Sequence, residues 1–497
     1  MDGHGTDQPV CPAREVVHEV GDAVLLRGVR VGSEGAVADV RLADGRIAAI
    51  EEPGAGAEGA EVFEGGTLLP GLVDGHAHLL QWAQFRRRID LSGAASADAA
   101  AQLMTAGPPD GELLLGAGFT DGLWPDSPHK STLDVVVGDQ PAVLLSRDLH
   151  TLWCNSPALR LLGRDHPSGV FVEDECMRIT AELPRPALMV TDKWVLEATE
   201  AAATRGVTAI SDYEFTDTVA DWTRRLEIRP PGTRVRCVLA RYLLEQAIER
   251  GHRTGMPIAE LLTVGPYKLF VDGSLNTRTA FCLERYPGTE STGELVTPPD
   301  ELEPLVHRAV TAGITPALHA IGDAATRIAL DAFERCGSGG RIEHAQLVAE
   351  ADLARFARLG VTASVQPGHC PDDRDVAERY WAGRTAHAYP YAALHRAGAR
   401  LEFSSDAPVA PLDPWDAIAS AVTRTDDERP PWHPEQCLPL PVALAAAAGG
   451  RTAIREGDPA DLVLTSVDPA ELDPRGLREI PIRATFLAGV PSYRAEG

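Results

Sequence analysis

The stretch LVDGHAH at residues 72–78 decides how the rest of the chain is read. It is a short apolar run that ends in two histidines, His76 and His78, flanking Ala77. In a strand, side chains at i and i+2 point to the same side, so the two imidazoles face one point. Such a pair is the platform a metal ion requires, although His-x-His by itself is a common pattern.

Seven further runs of similar length follow: VTAISDY (207–213), RVRCVLA (234–240), YKLFVDG (267–273), TPALHAIG (315–322), RIEHAQL (341–347), VTASVQP (361–367) and LEFSSDA (401–407). Between them lie Ala/Leu/Glu/Arg-rich stretches, and 193–205, 299–312 and 350–359 are predicted helical. Strands alternating with helices predict an α/β fold with a parallel sheet of βα units. Eight such strands predict a TIM-like (β/α)8 barrel. A ninth strand-like run, PAVLLSRDL (141–149), is assigned to an insertion spanning about 79–190.

Outward from the barrel, residues 23–70 read as short strands separated by Asp-Gly and Gly-rich turns. The C-terminal part, 436–497, reads as an Ala-rich helix followed by strand-like DPADLVLTSV and IRATFLAGV. These two distant segments predict one small composite β-sandwich built from both termini, with the barrel at 71–435 inserted between them. Residues 1–22 are polar and aperiodic and read as a loose arm.

Composition narrows the function classes. The 497 residues carry 72 acidic against 46 Lys and Arg side chains, a formal charge of −26, which repels phosphate backbones and predicts no nucleic-acid partner. No run of about 18 apolar residues is present, so no membrane span is expected. The opening segment lacks a basic start followed by an apolar run, so no secretory leader is expected. The eight cysteines form no Cys-x-x-Cys pair, which suits a reducing compartment and makes the cytoplasm the default location. A homodimer is the default for a closed symmetric assembly.

The chemistry-bearing residues collect at strand ends. His319 lies in LHAIGD, His344 in IEHAQL and Asp406 in FSSDAPV, each at the end of its run. Functional residues of α/β barrels gather at the C-terminal ends of strands. Any one of them alone would be a packed histidine or a capping aspartate. Together with His76 and His78 they are expected for zinc or a similar divalent ion. Lys268, in the middle of an apolar run, is costly to bury unpaired. It is either an ion pair with an inward carboxylate such as Asp272, or a carboxylated lysine able to bridge two ions.

These residues carry a resemblance. TLLPGLVDGHAHL, YKLFVDGSLNTRTA, LHAIGDAA, RIEHAQLV, SVQPGHCPDD, FSSDAPVAPLDPW and the terminal GDPADLVL are similar to the amidohydrolase superfamily. More narrowly they resemble its YtcJ-like, amidohydrolase-3 branch, which includes N-substituted formamide deformylases. RDLHTLWCNSPAL (147–159) resembles that branch's insertion. The resemblance implies a metal-dependent hydrolase. It makes His76, His78 and Asp406 ligands of one ion, His319 and His344 ligands of a second, and Lys268 a bridge if carboxylated. Asp406 would also take the proton of the attacking water and return it to the leaving nitrogen as the catalytic acid–base. His150, Asn155, Asp272, Ser274, Arg278 and His369 would line the substrate pocket. One departure touches that pocket: where the branch has Gly-Ser-Asp-Trp-Pro, this chain has Ser404-Ser405-Asp406-Ala407-Pro408.

The expected activity is hydrolysis of a non-peptide C–N bond in a small amide or N-formyl compound, with one or two divalent ions, zinc by preference. The alternatives are deamination of a cyclic amidine, hydrolysis of an ester or lactone on the same barrel, and an inactive scaffold.

Overall fold

A computed structural model describes residues 23–496 apart from 55, 57–58, 107–112, 120, 122–123, 147–150 and 185. Eight parallel strands run in chain order around a barrel: β1 (Leu72–Ala77), β2 (Val207–Asp212), β3 (Arg234–Leu239), β4 (Leu262–Phe270), β5 (Pro316–Ala320), β6 (Arg341–His344), β7 (Thr362–Val365) and β8 (Arg400–Phe403). Each predicted run supplies one of them. The strands of β1, β2 and β5 are buried at every position, as expected where a sheet is covered on both faces. The helices between them bury one stripe each. In Pro299–Thr311 that stripe is Leu302, Val306 and Ala309, at helical spacing.

Closure brings the ends of β1 and β8 together. Ala77 and Ala407 form a parallel bridge. The Asp406 N–H donates to His76 O at 2.8 Å and the His78 N–H to Ala407 O at 2.9 Å. Residues 330 positions apart in the chain are thereby stitched by backbone bonds at the barrel rim.

The run at 141–149 is not a barrel strand. Ala142–Ser146 is the central strand of a separate five-stranded sheet, ordered Val170–Val172, Thr151–Cys154, Ala142–Ser146, Leu114–Phe119, Ile89–Asp90. This sheet buries apolar side chains on both faces, Leu144 and Trp153 on one and Val143, Leu145 and Leu152 on the other. A further eight-stranded sheet joins the two ends of the chain, with Thr67–Pro70 antiparallel to Leu462–Thr465. Its core includes Leu26, Leu68, Leu464 and Phe486.

Candidate metal centre

Three predicted ligands converge where β1 meets β8. His76 Nε2 lies 3.6 Å and His78 Nε2 3.4 Å from the same atom, Asp406 Oδ1. One ligand atom from each of the three residues lies within 4.8 Å of the other two. Ligands about 2.1 Å from a tetrahedral ion stand roughly 3.4 Å apart, so the spacing fits a divalent cation. The backbone places them. His76 and His78 project to one side of β1, and Asp406, at φ 57°, turns in the left-handed region just past β8. Asp74 ties the two segments together. Its carboxylate accepts from the backbone N–H groups of His76 (3.1 Å) and Ser405 (3.2 Å) and from the Ser405 hydroxyl (2.5 Å).

His319 and His344 sit on the neighbouring strands β5 and β6, their rings edge to face with centroids 4.4 Å apart. Each has one nitrogen engaged by the protein. His319 Nε2–H donates to Gly273 O at 2.9 Å, and His344 Nδ1–H donates to Gln366 Oε1 at 3.0 Å. His344 is held beside His76, with ring centroids 5.3 Å apart. Lys268 Nζ lies over the rings of Tyr213 (5.1 Å) and Phe270 (4.8 Å). The carboxylates that act on it are Glu343 and Asp406, not Asp272.

Electrostatics prepare these groups for a cation. Burial, with Lys268 second, lowers His76 to about 4 and His319 to about 3. Both imidazoles are therefore neutral at neutral pH, the form that ligates metals. Burial would raise Asp406, but its hydrogen bond to His78 and the facing imidazoles hold it well below the usual carboxylate range. Burial lowers the Lys268 ammonium to about 8.

The amidohydrolase family model matches residues 63–493. The chain belongs to the amidohydrolase family. It is 29% identical over 476 residues to the putative amidohydrolase YtcJ of Bacillus subtilis (strain 168), covering 87% of this chain and 90% of that relative. It is 26% identical over 529 residues to the N-substituted formamide deformylase of Arthrobacter pascens, covering 96% and 95%. In three dimensions it is similar to an uncharacterized metal-dependent hydrolase from Pyrococcus horikoshii OT3, with a TM-score of 0.78 at 24% identity, over 91% of this chain and 99% of that one. This amidohydrolase is therefore a hydrolase built on a (β/α)8 barrel.

The residues expected to line the substrate pocket fall into three groups. His150 lies outside the described residues. Asn155 and Asp272 have their polar atoms engaged within the protein. Asn155 is fully buried in the inserted sheet's flank. Its Oδ1 accepts from the Ala142 and Ala158 N–H groups, and its Nδ2 donates to Gln140 O. It is the N-cap of the helix Ser156–Leu161. Asp272 accepts from the backbone N–H groups of Phe281, Ile321 and Gly322, and pins the β4 and β5 loops together.

Of Ser274, Arg278 and His369, Ser274 already shares a hydrogen bond between its hydroxyl and Thr277 Oγ1 at 2.9 Å. Ser274 and Arg278 occupy the loop after β4, with Arg278 exposed and its guanidinium 5.5 Å from the Tyr380 ring. His369 opens the helix His369–Tyr380 and is buried rather than solvent-facing. Its Nδ1 lies 3.4 Å from Gln346 Nε2, and its Nε2 has no partner.

Sequence reasoning missed Glu343. Strand alternation places Glu343 and His344 on opposite faces, so only one should face the barrel interior. Both do, because His344 at φ 80° and Ala345 at φ 43° break the strand and re-aim the imidazole. Glu343 Oε2 lies 3.0 Å from His76 Nδ1. Gly75 makes room for the carboxylate beneath: a Cβ there would stand 2.8 Å from Glu402 Oε1.

Proposed function

We propose that this amidohydrolase cleaves a non-peptide carbon–nitrogen bond in a small amide, of the N-formyl or N-substituted type. The observation that carries the reading is the convergence of His76, His78 and Asp406 on one point beside Lys268. Two imidazoles and a carboxylate suit zinc, the ion we assign to His76, His78 and Asp406. Held there, such an ion lowers the pKa of water to about 7 and polarises a carbonyl.

The chain's own residues do the rest. Asp406, ionised and facing the two imidazoles, is placed to take a proton from the attacking water and pass it to the leaving nitrogen. Returning that proton separates a poor amide leaving group as an amine. Lys268, buried and with a lowered ammonium pKa, can react as the free amine with carbon dioxide, giving the anionic carbamate that would join His319 and His344 around a second ion. His369 Nε2 and the Ser274–Arg278 loop are the groups assigned to hold the substrate.

Extensive match to the Arthrobacter pascens N-substituted formamide deformylase supports the choice of an amide over an ester. No described helix is long and apolar enough to cross a membrane. The described cysteines form no disulfide with one another, which supports a reducing compartment such as the cytoplasm. Chelation followed by zinc add-back tests the metal requirement and should abolish and then restore turnover. A panel of formamides, acetamides, lactones and cyclic amidines tests the bond. Acid and amine released from the amides is expected; ammonia from the amidines or cleavage of the lactones alone would refute the assignment.

A further inference from the structure

The mechanism above leaves unused a chain of buried charges under the metal centre. Glu343 Oε2 faces His76 Nδ1 at 3.0 Å, and Glu343 Oε1 accepts from the Tyr213 hydroxyl at 2.8 Å and from Arg341 Nε at 2.9 Å. Arg341 continues to Glu402 Oε1 at 3.0 Å, and Arg236 reaches the same oxygen at 3.3 Å. Glu343 and Glu402 are almost completely buried. The Tyr213 ring lies flat on His76, with centroids 3.6 Å apart and planes 7° from parallel. The imidazole is thus held in its plane by one partner and in its rotation by another.

An ionised carboxylate only accepts hydrogen bonds, so the imidazole nitrogen facing it must carry the proton. The His76 Nδ1 is then N–H, and the lone pair sits on Nε2, the atom 3.6 Å from Asp406. We propose that Glu343 is a positioning residue that fixes the tautomer and ring orientation of His76 toward the cation, and that Tyr213 and Arg341 lock Glu343 for that task. A partner behind a ligating histidine raises its basicity and fixes its aim. The claim rests on the metal-centre reading, not on the choice of substrate.

The test is zinc affinity of the purified full chain, stripped and titrated against a chromophoric chelator. Loss of about tenfold is expected for Glu343→Gln and about 100-fold for Glu343→Ala. Tyr213→Phe keeps the stacked ring and removes only the brace, so roughly threefold is expected. With Co2+ in place of zinc, the visible absorption bands should shift in Glu343→Gln. Asp468→Asn, which removes a buried carboxylate bonded to Ser33 and Glu34 in the terminal sheet, should lower the melting temperature and leave zinc affinity unchanged.

Folded Glu343 variants with parental affinity and spectrum would overturn the proposal. Should neither Glu343 variant fold, parental affinity in Tyr213→Phe overturns it. A parent chain that binds no zinc overturns both this inference and the metal centre. A parent that binds zinc but hydrolyses no amide contradicts only the substrate, and the affinities above then decide the role of Glu343.

Discussion

Two histidine–aspartate pairs at the barrel mouth have the same spacing and different chemistry. On the β1/β8 side, His76 Nε2 stands 3.6 Å from Asp406. On the β4/β5 side, His319 Nε2 stands 3.6 Å from Asp272. Asp272 is saturated by three backbone N–H groups, and its partner's Nε2–H is given to Gly273 O. Asp406 faces His76 Nε2 and His78 Nε2 instead, two imidazole nitrogens gathered about one of its oxygens. Burial pushes Asp272 up to about 7, whereas the histidines hold Asp406 well below the usual range. Distance between a histidine and a carboxylate therefore says little. What else the carboxylate touches decides whether it fastens loops or serves a cation.

The largest effect separating the pairs should come from Asp406→Asn. The asparagine keeps an oxygen toward the ion but cannot accept the proton, so kcat should fall by about 10²–10⁴-fold with zinc content retained. Undiminished turnover would contradict the acid–base role. Asp272→Ala should act on the fold instead. Three backbone donors lose their acceptor at a buried site, a loss of roughly 2–3 kcal/mol in denaturant unfolding, with kcat/KM of the folded protein close to parental. A selective collapse of kcat/KM without a stability change would return Asp272 to the substrate pocket.

The pH dependence of the metal-free protein sharpens the contrast. Asp272 titrates near 7 when folded and near 3.8 when unfolded, so its stabilisation is complete below about 4 and is lost as pH rises through 7. The stability gap between parent and Asp272→Asn should narrow from pH 4 to pH 7. Asp406 is depressed, so its contribution is complete above about 4 and is lost only as pH falls further. Its gap to Asp406→Asn should stay level over the same range. Parallel gaps for the two variants would mean that both carboxylates are in one environment. The smallest effect on kinetics is expected from Asn155→Ala beside the inserted sheet, where the loss of a helix cap and of two further hydrogen bonds, from the Ala142 N–H and to Gln140 O, costs about 2 kcal/mol of stability and leaves turnover unchanged.

The barrel was legible because short, largely buried runs such as β1, β2 and β5 alternate with helical stretches, and several of them end in a histidine or an aspartate. His76 and His78 were legible because strand periodicity alone puts i and i+2 together. Asp406, His319 and His344 could be placed at strand ends, but not in space. Convergence of Asp406 on His76 depends on the backbone seam between β1 and β8, which no local pattern encodes. Glu343 was illegible for a related reason: alternation assigns it away from His344, and the positive φ at His344 that defeats alternation has no residue signature. Asn155 shows the reverse. The resemblance assigns it to the pocket, and instead its side chain caps the helix Ser156–Leu161, a place that suits a short polar side chain ahead of Pro157.

The central claim is that one divalent cation sits between β1 and β8. Anomalous scattering at the zinc edge from crystals of the zinc-loaded protein tests it directly. A peak within bonding distance of His76 Nε2, His78 Nε2 and an Asp406 oxygen is the expected result. A map with no peak there, or with its peak among residues remote from those three side chains, would contradict the account.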